Sequence, residues 1–144
     1  MSDHFAGLAI VRASWAGTLI LVIAAVAALV VPDLEVVAVA VDLVLFVGGA
    51  ICFLWGYAIA VGRSRDVEIG IGGLYFLQGT APASVQHHLL AALGIEVAAA
   101  FATAGLRPFS GLAFGVLAPL WGLGLCGLWG ARYGSFGPRQ QARR

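Results

Sequence analysis

Four apolar runs, at residues 13–31, 36–61, 85–106 and 109–131, decide what this chain can fold into; they are 19, 26, 22 and 23 residues long. A helix of about 20 residues crosses a hydrocarbon core of about 30 Å, so each run is long enough to span. Inside a bilayer, unpaired backbone groups cost so much that only helices and closed barrels survive. Barrel strands alternate polar and apolar residues, whereas these runs are continuously apolar. The expected fold is therefore all-α: one polytopic domain over residues 1–144, a four-helix transmembrane bundle. Composition points the same way. Apolar residues make up 61% of the chain and charged residues 10%, against about 45–50% and about 25% in a soluble domain. That excludes an ordinary soluble globule, a disordered chain and a secreted disulfide scaffold. The first run exceeds the roughly 7–15 apolar residues of a signal peptide and leads through Pro32-Asp33-Leu34-Glu35 straight into the second, so it reads as an uncleaved helix.

The charges fix an expected orientation. There are eight Arg and no Lys. With the N-terminus inside, one side collects Arg12, Arg63, Arg65, Arg132, Arg139, Arg143 and Arg144, and the other keeps Arg107 with Asp33 and Glu35. The positive-inside rule then places both termini in the cytoplasm. Trp15, Tyr57, Trp129 and Tyr133 fall near the same ends, where amphipathic rings prefer to sit. The lipid bilayer is the first partner implied. A nucleic-acid partner would need a basic face, and only the short Arg-rich tail at 132–144 is basic.

The connection at 62–84 is the one stretch between runs long enough to carry structure. It opens with charge (Arg63-Ser64-Arg65-Asp66-Val67-Glu68) and turns apolar over 69–77, too short to span. Gly70, Gly72 and Gly73 disfavour helix, and Val67, Ile69 and Ile71 alternate briefly in strand fashion. The expectation is an interfacial or shallow re-entrant loop between helices two and three, with Tyr75 and Phe76 at the headgroup boundary.

Small residues let membrane helices approach closely. Gly48, Cys52, Gly56 and Ala60 recur every four residues in the second run. Ala118, Gly122, Cys126 and Gly130 do so in the fourth, beside Gly111 and Gly115, and Ala92, Ala100 and Ala104 share a face of the third. These seams suit intramolecular packing; a homo-oligomer interface is the alternative use. Cys52 and Cys126 lie within apolar runs and read as free thiols acting as small apolar residues.

Two acids lie inside the runs, and a charge at the bilayer centre costs about 2.5–3.5 kcal/mol on insertion scales. Asp42 stands roughly 10 Å below the surface at 1.5 Å per residue, close enough to reach partly toward water. Glu96 stands roughly 15 Å deep, near the midplane, with no cationic partner, since Arg107 is expected to snorkel outward. Burial there favours the neutral acid. Pro119, at similar depth, should kink its helix and free the Gly115 carbonyl. A protonated Glu96 could donate to that carbonyl while Trp121 donates its indole N–H back. Glu96 is thus read first as a structural hydrogen-bonding residue and second as a proton carrier.

Other candidates carry less. His4, His87 and His88 lack metal or haem ligand spacing. Gly70-Ile71-Gly72-Gly73 lacks the Lys and Ser/Thr of a phosphate loop. Ser14 and Thr18 stack one turn apart and should bond to backbone or a neighbouring helix. No paired carboxylates, nucleophile–base set or zinc-protease motif occurs, so no enzyme, metal or cofactor is expected.

The second half carries a resemblance. Residues 65–77 (RDVEIGIGGLYFL), the Ala81-Pro82 break, Arg107-Pro108-Phe109, residues 112–115 (LAFG) and 122–132 (GLGLCGLWGAR) resemble a family of small, uncharacterised integral membrane proteins of actinobacteria. The likeness covers roughly residues 58–138. It implies a bacterial plasma-membrane setting and no catalytic residues. Small multidrug transporters fit less well, because they carry their glutamate on the first helix. The function expected is a non-enzymatic structural or accessory subunit acting through helix–helix contacts with a membrane-protein partner. The alternative is an oligomeric proton-coupled transporter or channel using Glu96 and Asp42.

Overall fold

The computed structural model describes residues 3–139 and is all-helical, apart from one isolated antiparallel bridge between Val67 and Pro138. Five α-helices follow in order: α1 (Asp3–Val30), α2 (Glu35–Arg63), α3 (Ile71–Tyr75), α4 (Ala83–Leu106) and α5 (Leu120–Tyr133). Two 3-10 helices, Pro32–Leu34 and Gly111–Leu117, join them. Four segments are long and apolar enough to cross a membrane: Gly7–Val30, Pro32–Arg63, Ala83–Leu106 and Gly111–Tyr133. Arg143 and Arg144 lie outside the described residues, as does the side chain of His4.

Two of the expected helices need correction. Helix α1 begins at Asp3 rather than near residue 13. An apolar run marks the bilayer-thick part of a helix, and nothing between Asp3 and Arg12 stops the turns from continuing outward. The fourth segment is two helices rather than a kinked one. Pro119 has no N–H to offer the Gly115 carbonyl, so the Ala118 N–H takes it at 3.1 Å, an i→i+3 bond of 3-10 type. The backbone tightens through Gly111–Leu117 and starts afresh as α5.

Helix α5 is the hub, packed against α1, α2, α3 and α4, while α1 pairs with α4. The α2–α5 crossing brings backbones into contact. A Cβ on Gly124 would strike the Gly49 carbonyl oxygen, and one on Gly56 would stand 2.9 Å from the Gly127 carbonyl carbon. The register on α2 differs from the sequence expectation. Its buried face runs Ala38, Asp42, Leu45, Gly49, Gly56 and Ala60, whereas Gly48 and Cys52 are half-buried, Gly48 beside the Trp121 ring. Ala118, Gly122, Cys126 and Gly130 are buried, against different neighbours. Both cysteines are free.

The 62–84 connection is strand-like only at Val67, which bridges to Pro138, and it is not loose. It folds back on the Arg-rich end of the bundle, burying Leu74, Tyr75 and Leu77 and leaving Phe76 exposed. Helix α3 forms despite Gly72 and Gly73 because this burial outweighs their poor propensity. Its end is a left-handed cap in which the Phe76 and Gln78 N–H groups both donate to Gly72 O at 3.1 Å. The cap position, usually glycine, is Leu77 at φ 57°. A left-handed residue costs about 1–2 kcal/mol; burying a leucine returns about 1.5–3 kcal/mol. Leu77 is fully buried against Leu89, Cys126 and Trp129, so the side chain holds the backbone in that conformation. Arg63 fastens the same end, donating to Ala131 O at 2.6 Å and Gly134 O at 3.1 Å.

Outside this core the surface is apolar. Val36, Val44, Ile51, Leu54, Phe101 and Leu106 are all well exposed. A belt of that size has no counterpart on a water-soluble monomer.

A buried acid cluster as the candidate functional site

Glu96 lies on the inner face of α4 with Leu89, Ala92, Ala100 and Thr103, and is 0% exposed. Its site is created by the break at Pro119. A new helix leaves its first N–H groups without partners, and α5 has no side-chain cap of its own at Pro119. The Gly122 N–H, in that first turn, donates to Glu96 Oε2 at 3.0 Å. A carboxyl is the favourable group there, because the helix N-terminus carries partial positive charge. Only glycine allows the approach: a Cβ on residue 122 would stand 2.6 Å from Oε2.

The other oxygen meets α1. Thr18 Oγ1 lies 2.7 Å from Glu96 Oε1 and 2.9 Å from Ser14 O. A threonine hydroxyl has one proton and cannot donate to both. The count closes when Glu96 is the neutral acid. Its hydroxyl then donates to Thr18, Thr18 donates to Ser14 O, and the remaining carboxyl oxygen accepts from Gly122. Glu96 so ties α1, α4 and α5 together.

This corrects the expected arrangement. The Gly115 carbonyl does not meet Glu96, because Ala118 has taken it. Nor does Trp121 return a bond to the acid: its Nε1 donates to Ala13 O at 3.2 Å, and its ring wedges between Gly17 of α1 and Gly48 of α2. Sequence reasoning sought a freed carbonyl at the proline, whereas the useful orphan was an N–H one turn later.

Asp42 is 5% exposed rather than reaching water. Its Oδ2 and Thr103 Oγ1 both lie 3.4 Å from where a Cβ on Gly115 would stand. The Thr103 hydroxyl is engaged with its own helix, 3.0 Å from both Ala99 O and Ala100 O. Asp42 has no hydrogen-bond partner among the described residues.

A third acid was missed. Glu35 accepts from the Gly111 N–H and so caps the 3-10 helix Gly111–Leu117. The signal available was a helix start at Ser110-Gly111 with no acid of its own. Arg107 donates to Leu29 O at 3.3 Å and so closes the end of α1. His87 and His88 are exposed, His88 edge-on to Trp15, and no cluster of three metal-ligating side chains occurs among the described residues.

No family model, no curated protein and no solved structure matches this chain. The acid cluster fixes three helices at one point.

Proposed function

We propose that the chain is a small integral membrane protein of a bacterial plasma membrane, with both termini cytoplasmic, and that it serves as a non-enzymatic structural or accessory subunit. One observation carries the reading. Helix α4 turns Ala91, Gly94, Ala98, Ala102 and Gly105 outward, all exposed, with open space around Gly94 and Gly105. Small residues at three- and four-residue spacing are what a second membrane helix packs against. The interior supports the same reading, since both oxygens of Glu96 are spent on neighbouring helices. The seven-to-one distribution of arginines favours the orientation, and the family resemblance of residues 58–138 favours the plasma-membrane setting.

The test is to purify the tagged full chain in mild detergent and weigh what co-elutes by native mass spectrometry. A stoichiometric foreign subunit, lost when Ala98→Phe fills the outward face of α4, is the expected result. A homo-oligomer without foreign protein, whose proton flux in vesicles is abolished by Glu96→Gln, would replace this reading with the transporter.

A further inference from the structure

Given the membrane setting proposed above, on which this rests, we propose that an anionic phospholipid docks at the Arg-rich end of the bundle, its phosphate on Arg132 and one acyl chain in the groove between α2 and α5. Two cavities share that arginine. One is a cleft of ≈ 660 Å³ among α1, the start of α4 and the end of α5, lined by Leu8, Val11, Ser84, Val85, Arg132 and Tyr133 among others. The other is a groove of ≈ 270 Å³ between α2 and α5, walled by Ile51, Cys52, Trp55 and Leu128. Arg132 stands in the last turn of α5, one turn beyond Leu128.

The donors set the sign of the ligand. Ser84, Arg132 and Tyr133 supply the accessible polar side chains of the cleft, and no Asp or Glu is among the described residues lining either cavity. Arg63 and Arg139, at the same end, are spent on backbone carbonyls. Arg132 is exposed and has no hydrogen bond or ion pair among the described residues. A guanidinium meets two phosphate oxygens at once, and basic pockets between membrane helices take acidic headgroups. A zwitterionic headgroup fits less well, because its ammonium finds no carboxylate here. The groove makes the occupant a lipid. Ile51 and Trp55 are each 60% exposed, an apolar surface that a free phosphate leaves uncovered and an acyl chain fills.

The test uses the full chain in phosphatidylcholine vesicles, with trace phosphatidylglycerol or phosphatidylcholine probes carrying the same diazirine-bearing chain. After illumination, label is mapped by peptide mass spectrometry. The phosphatidylglycerol probe is expected to label Ile51, Trp55 and Leu128 about fivefold more than its twin, the worth of one basic residue against an anionic lipid. Arg132→Gln should erase that preference and Arg132→Lys keep part of it. Arg65→Gln, at the same end but lining neither cavity, should leave it unchanged. The comparison of the two probes on the unaltered chain stands whether or not Arg132→Gln folds. Equal labelling by both probes, or equal losses from Arg132→Gln and Arg65→Gln, would overturn the site. Displacement of the label by inorganic phosphate at constant ionic strength would overturn the lipid as its occupant. A chain that alkaline carbonate strips from the vesicles would overturn the membrane reading itself, whereas an embedded chain without the headgroup preference would overturn the lipid site alone.

Discussion

Glu96 and Asp42 are both acids, both buried, and both set above a glycine of the fourth segment, yet they are built into the fold differently. Glu96 engages α1 through Thr18 and α5 through Gly122. Asp42 Oδ2 stands at van der Waals distance from where a Cβ on Gly115 would lie, and the side chain bonds to neither Gly115 nor Thr103. Depth therefore does not rank the two acids; the number of otherwise orphaned groups each one satisfies does. One follows from a helix that starts inside the bundle and needs a cap. The other sits beside a stretch whose N–H groups are already paired.

That contrast can be broken by substitution, scored by denaturant titration in micelles with tryptophan fluorescence. The largest effect is expected for Glu96→Ala, which leaves the Gly122 N–H unpaired and opens a void, for a loss of about 3 kcal/mol; Asp42→Ala should cost under about 1 kcal/mol. Equal losses would abolish the distinction. Next come the glycines. Gly122→Ala drives a methyl into Glu96 and the Leu93 backbone and should cost about 2 kcal/mol. At Gly115→Ala the new methyl meets its neighbours at 3.4 Å, and stability should stay within about 0.5 kcal/mol. Thr18→Val strips the hydroxyl from the Glu96 contact for about 1.5 kcal/mol, whereas Thr103→Val, whose hydroxyl serves its own helix, should be nearly silent. Smallest is Glu96→Gln, expected within about 0.5 kcal/mol. An amide donates to Thr18 and accepts from Gly122 just as a neutral acid does, so a loss comparable with that of Glu96→Ala would show that the carboxyl is ionised.

The spans were legible because hydropathy along one dimension is enough to find them. That Glu96 is an acid enclosed by apolar helices was legible for the same reason. Its partners were not, since they depend on which faces meet. The α2 seam shows how the register could have been found. Anchoring it on Asp42, which must face inward, selects Ala38, Leu45, Gly49, Gly56 and Ala60 at helical spacing, and so prefers Gly49 to Gly48. Counting small residues every four positions without that anchor placed Gly56 and Ala60 correctly but put Gly48 and Cys52 on the face when both are only half-buried. The docking of 69–77 was illegible in another way. Local propensity argues against helix there, and only tertiary burial of Leu74, Tyr75 and Leu77 reverses it.

The two-part fourth segment depends on the rest of the chain for its hydrogen bonding. Each of its halves begins at an acid supplied by an earlier segment, Glu35 beside Ser110 for the 3-10 helix and Glu96 for α5. Neither start is fully paired by the segment's own residues, so this glycine-rich stretch completes its backbone bonding only against its neighbours.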